Sequence, residues 1–109
     1  MEISIHIKFL RDLTFQDELL LQELLDEWVD DANLKMIEIQ KRIGEADAKR
    51  IFNSLHELKT NFTMLRCGLA IRTSDILLHK LEQGELISFE DLNPLDEMLK
   101  AIILLIQHK

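Results

Sequence analysis

The sequence predicts an all-α fold, on three observations. Gly 3 and Pro 1 among 109 residues leave few places for tight turns. Leu, Ile, Glu, Asp and Lys dominate and tyrosine is absent, a balance that suits helices and starves hairpins. Apolar residues recur at steps of three and four along most of the chain, the period of a helix with one buried stripe. The length is that of one domain with a single modest core, so residues 1–109 are expected to form one helical domain.

The start, residues 3–13, is ambiguous. Ile3, Ile5 and Ile7 alternate as in a strand, yet a lone strand has no partner in a helical chain. A short helix or an extended lead-in is expected there. From Phe15 to Ile43, the positions Leu21, Leu25, Trp28, Ala32, Met36, Ile39 and Ile43 mark one long helix with a single inward stripe. Gly44-Glu45-Ala46-Asp47 interrupts it, with Gly44 suited to a left-handed helix end and Asp47 able to cap the next helix. So short a turn predicts antiparallel neighbours.

The third segment, Asp47 to Leu65, puts Ile51, Leu55, Leu58, Phe62 and Leu65 on one face. Cys67-Gly68 weakens continuation, Leu69 to Gln83 resumes, and Gly84 closes that helix. Asn93-Pro94 is expected to cap and open the last helix, with Leu95, Met98, Leu99, Ile102, Leu105 and Ile106 inward.

Composition and charge exclude several functions. Net charge is -7, and a binder of phosphate backbones needs basic surface, so no nucleic-acid partner is expected. Cys67 is the only cysteine and no paired Cys/His spacing of the zinc kind occurs, which points to a reducing compartment, the cytoplasm by default, and to no structural metal. The opening lacks a cationic, apolar leader and no stretch is long and apolar enough to span a bilayer, so neither export nor membrane insertion is expected.

Charge is unevenly placed: residues 1–47 hold 12 acids and 5 bases, whereas residues 48–109 hold 8 of each. Between residues 49 and 72, Lys49, Arg50, Lys59, Arg66 and Arg72 face a single acid, Glu57, and are expected to form a basic island. A helical wheel gives the island a centre. With Ile51 at zero, Leu55, Leu58, Phe62 and Leu65 fall within about 40°, whereas His56 falls at about 140°. Phe52 at about 100°, Lys59 at about 80°, Thr63 at about 120° and Thr60 at about 180° surround it. A rigid mid-helix histidine suits a nucleophile that must dock into another protein's active site, because neutral imidazole is nucleophilic near pH 7. Lys59, one turn along, can pair with phosphoryl oxygens.

The run Leu55-His56-Glu57-Leu58-Lys59 resembles the signature of the histidine-containing phosphotransfer (HPt) family of two-component phosphorelays, a histidine followed by any residue, leucine or isoleucine, and lysine. The similarity extends to the helix-opening segment from Phe15 to Leu25, to the acidic turn Glu45-Ala46-Asp47 and to Leu81-Glu82, in the family's order. What the resemblance implies is an antiparallel up-and-down four-helix bundle with a short N-terminal helix, His56 as phosphoacceptor and Lys59 as its phosphoryl-stabilising partner. It implies exchange with aspartyl phosphates on receiver domains of response regulators or hybrid kinases. Magnesium would be held by the receiver, and the chain itself would need no cofactor or nucleotide site. Phe52, Thr60 and Thr63 are expected in the receiver-docking surface, and the chain is expected to act as a monomer. The sequence differs from the family pattern at Thr60, where many members have glycine directly after the lysine. It differs again at Arg66, where a glycine is expected ten residues after the histidine and Gly68 is displaced by two.

The alternative expectation is a binding or scaffold module that keeps such a docking surface without carrying phosphate. An enzyme acting on a small molecule lacks support, since no pair of titratable groups is placed for acid and base work. His6, His79 and His108 lie on separate segments and are read as surface residues, not metal ligands. Cys67 is read as a small packed residue, Met36, Met64 and Met98 as core fillers, and the tripeptide Asn61-Phe62-Thr63 as an accidental glycosylation match inside a helix.

Overall fold

The computed structural model describes residues 3–108, and among them every regular element is a helix. The order is α1 (Lys8–Leu13), α2 (Glu18–Gly44), α3 (Ala48–Met64), α4 (Gly68–Glu82) and α5 (Phe89–Gln107). Helix α2 packs against α3 and α5, α3 against α4, and α4 against α5, so the four long helices contact one another in a closed cycle, with α1 set against α2. At 1.5 Å per residue α2 spans about 40 Å, which accounts for the longest dimension of 44 Å.

The ambiguous start contains both expected forms. Residues 3–7 have no regular structure, yet Ile3, Ile5 and Ile7 pack partly buried on the core while Ser4 and His6 face out. Alternation here marks an extended segment laid on helices, not a paired strand. His6 N donates to the Leu65 carbonyl at 2.7 Å and ties the segment to the end of α3. Helix α1 follows, anchored by the fully buried Leu10.

Three boundaries differ from the sequence expectation, the first and third because a polar cap outweighs the apolar pattern. Helix α2 starts at Glu18, three residues after Phe15, because the Asp17 carboxylate accepts from the free amides of Leu19 and Leu20 at 3.0 and 3.2 Å. Phe15 and Gln16 form the preceding turn in left-handed conformation, and Phe15 is 89% exposed. Between α2 and α3 the left-handed residue is Ala46, with φ 54°, while Gly44 is the last residue of the helix. Helix α5 opens at Phe89, before Asn93-Pro94, because Ser88 and Asp91 form a reciprocal capping box: the Ser88 hydroxyl accepts from Asp91 N at 3.1 Å, and the Asp91 carboxylate accepts from Ser88 N at 2.9 Å. Pro94 therefore lies inside the helix, where the carbonyl it leaves without an amide is that of exposed Glu90.

The expected stripes are buried. Leu21, Leu25, Trp28, Ala32, Met36 and Ile39 of α2 meet Ile51, Leu55, Leu58 and Phe62 of α3, and Leu92, Leu95, Met98, Leu99, Ile102 and Ile106 of α5 close the core with Leu77, Leu78 and Leu81 of α4. Trp28 and Phe62 pack with ring centroids 6.3 Å apart at 55°. Cys67 is a buried, packed residue between α3 and α4. Three expected core positions are not: Leu105 is exposed, and Ile43 and Met64 are only half-buried. Among the described residues no helix is long and apolar enough to cross a membrane.

Candidate functional site

Helix α3 is fixed at both ends and along one face. Asp47 caps it by accepting from Arg50 N at 3.2 Å, and four of its apolar side chains are buried against the other helices. His56 is its ninth residue of 17, at mid-helix and on the opposite side from that face, and it is exposed. One turn earlier Phe52 is half-buried, and its ring stacks on the imidazole with centroids 6.2 Å apart at 25°. A nitrogen so presented is open to an electrophile on another protein.

Lys59 follows one turn later and is half-buried. Its ammonium crosses to α4 and meets Asp75 Oδ1 at 2.5 Å. Sequence patterns within one helix miss Asp75, but the short α3–α4 connection carries a signal: Lys59 and Asp75 lie equally far on either side of Cys67. Thr60 and Thr63 are both exposed, and each turns its hydroxyl back onto its own helix. Thr60 Oγ1 donates to the His56 carbonyl at 3.3 Å and Thr63 Oγ1 to the Lys59 carbonyl at 3.0 Å.

The structure does not gather the expected basic island around His56. Arg50 pairs with Asp47 at 3.5 Å, near the start of α3. Arg66 lies beyond the end of α3 with its guanidinium over the Phe9 ring, 5.7 Å from the centroid. Arg72 folds against Gly68 at the start of α4. Of the five bases, Lys59 is the one a single helical turn from His56.

On the other flank of α3 a polar network joins it to α2. Trp28 Nε1 donates to the Asn61 carbonyl at 2.8 Å, Lys35 Nζ to Asn61 Oδ1 at 2.7 Å, and Asn61 Nδ2 to Asp31 Oδ2 at 2.8 Å. Lys35 also pairs with Asp31 at 2.8 Å. The Lys35 ammonium, helped by the Asn61 amide, holds the Asp31 carboxyl below the usual carboxylate range. Asn61 is itself buried, so its amide is committed to this network and the Asn61-Phe62-Thr63 tripeptide is structural. The network borders a cleft of about 310 Å³ lined by Leu24, Glu27, Trp28, Asp31, Asn61 and Met64.

His6, His79 and His108 are exposed on separate segments, and among the described residues no group of three or more His, Cys, Asp or Glu side chains is placed to hold a metal ion. Comparison of the chain with protein-family models, with curated proteins and with solved structures gives no match.

Proposed function

We propose that this chain is a histidine phosphotransfer module of the HPt kind, an antiparallel up-and-down four-helix bundle that carries a phosphoryl group on His56 between receiver-domain aspartates. The observation that carries the proposal is the exposed mid-helix His56, stacked on Phe52, with Lys59 one turn away in the run His56-Glu57-Leu58-Lys59. The closed cycle of contacts among α2, α3, α4 and α5, with short connections from α2 to α3 and from α3 to α4, supports the bundle topology.

In the forward step one ring nitrogen of His56 attacks the phosphorus of an acyl phosphate on the donor receiver. The N–P bond forms as the P–O bond breaks, and the donor aspartate leaves as a carboxylate with that bond's electrons. The proton on the other ring nitrogen stays in place. Lys59 offsets charge on the transferred group, and the magnesium of the reaction belongs to the receiver. The second step reverses the first onto another receiver. Phe52, Thr60 and Thr63 form part of the docking surface, and the module works as a monomer in the cytoplasm, with no nucleotide or cofactor of its own.

A second reading, a scaffold that docks receivers or other signalling domains without carrying phosphate, is favoured by Thr60. Its branched side chain stands one turn beyond His56, on the side a receiver must approach. Transfer of radiolabelled phosphate from a phosphorylated receiver, compared between the natural chain and His56→Gln, separates the two readings.

A further inference from the structure

Lys59 does not reach toward His56. It reaches across to Asp75 on α4. We infer that Asp75 is a positioning residue: it competes for the Lys59 ammonium with a phosphoryl group on His56, and so sets how firmly the phosphorylated histidine is held. This rests on the reading of His56 as phosphoryl acceptor.

The pair sits where an exchange of partners is possible. Its side chains are 31% exposed for Lys59 and 51% for Asp75, so water and salt weaken the contact and it can be broken at little cost. His56 and Lys59 are three residues apart on one helix, which places their β-carbons about 5–6 Å apart, and the lysine's four-carbon stem can swing over that distance. The bare imidazole offers no negative charge, so the ammonium goes to the carboxylate. Phosphorylation adds a charge of about −1.5 to −2 at His56, more than a carboxylate carries, and draws the ammonium back. The phosphoryl group then gains Lys59 only at the expense of the contact with Asp75. The phosphohistidine is held less firmly than Lys59 alone would hold it, which favours passing the group onward.

Phosphoramidate tests this without any receiver. One nitrogen of His56 forms its N–P bond as the P–N bond of the donor breaks, and the donor's protonated nitrogen leaves as ammonia. The quantity read is the ratio of phosphorylated to bare His56 at fixed phosphoramidate and ammonium concentrations in physiological salt, by phosphorus NMR, after subtraction of the His56→Gln signal. Asp75→Asn and Asp75→Ser are both expected to raise the ratio by about two- to fivefold, the range of an exposed ion pair. Asp75→Glu is expected to return it toward the natural value. In a Lys59→Ala background the rise is expected to shrink to at most about 1.5-fold, the residue of direct repulsion through screened solvent. An unchanged or lowered ratio in both neutral variants overturns the inference, as does an equal rise without Lys59. Because phosphoramidate loads the histidine directly, failure here leaves the functional reading standing, and failure of receivers to label the chain strikes that reading alone.

Discussion

Trp28 on α2 donates its indole N–H to the backbone carbonyl of Asn61 on α3 at 2.8 Å, while the Asn61 side chain holds Asp31 and Lys35 of α2. The helix that carries His56 is thereby fixed to α2 by polar as well as apolar contacts, on the flank away from the histidine. Trp28→Phe leaves that bond unmade in a buried place and is expected to destabilise the fold by about 1–3 kcal/mol. Asn61→Ala is expected to cost about 1–2 kcal/mol, whereas His56→Gln changes stability by less than about 0.5 kcal/mol because the side chain is exposed. Urea unfolding of the three variants checks the order.

Acid should loosen the same contact. Lys35, with Asn61, keeps the Asp31 pKa in the folded protein below its unfolded value of about 3.9. The contribution is therefore complete above that value and is lost as pH falls through the lower, folded one. With the Asp31 side chain 53% exposed, the pair contributes less than about 1 kcal/mol. Urea unfolding at pH 7 and near pH 3 should show a smaller loss of stability in Asp31→Asn than in the natural chain.

The turn before α3 has its glycine and alanine on the wrong sides for stability. A β-carbon added to Gly44 meets nothing within 4 Å, and Gly44 is helical, so Gly44→Ala is expected to stabilise by about 0.5–1 kcal/mol. Ala46 has φ 54°, where glycine is free of the strain an alanine bears, so Ala46→Gly is expected to raise stability by up to about 1 kcal/mol. Thermal unfolding should show the double variant melting several degrees higher, at roughly 4–8 °C per kcal/mol.

Thr60 makes a prediction about rate. Thr60→Gly removes the branched side chain one turn from His56 and is expected to speed transfer from a phosphorylated receiver, while costing a few tenths of a kcal/mol in helix stability. Stopped-time labelling and thermal unfolding on the same preparation measure both. A slower transfer with unchanged melting would mean that Thr60 contributes to docking instead of obstructing it.

The buried stripes of α2 and α3 were legible in the sequence because burial on one face of a helix imposes the period of the helix itself. The departure of His56 from the stripe was legible for the same reason. Apolar pattern fails where an apolar residue is not buried: Phe15 looks like the start of a stripe and stands in a solvent-facing turn, and the true signal was Asp17 with its free oxygens. Ser88-Phe89-Glu90-Asp91 likewise carried a capping signature that Pro94 masked. Asp75 and Asn61 were not legible as parts of the site and its support. Their partners lie on neighbouring helices, and the register between helices is decided by packing, not by spacing along one of them. The basic island dissolved partly for that reason, since Arg66 lies over Phe9 of α1, while Arg50 pairs with Asp47 close by in the chain.

The central claim is that His56 carries phosphate, and the most direct measurement is incubation with a receiver bearing radiolabelled aspartyl phosphate, followed by a chase with an unlabelled second receiver. The expected result is an acid-labile, alkali-stable label on this chain that is absent in His56→Gln and leaves during the chase. Stable association with receivers, but no such label across several of them, would contradict the claim and leave a docking scaffold.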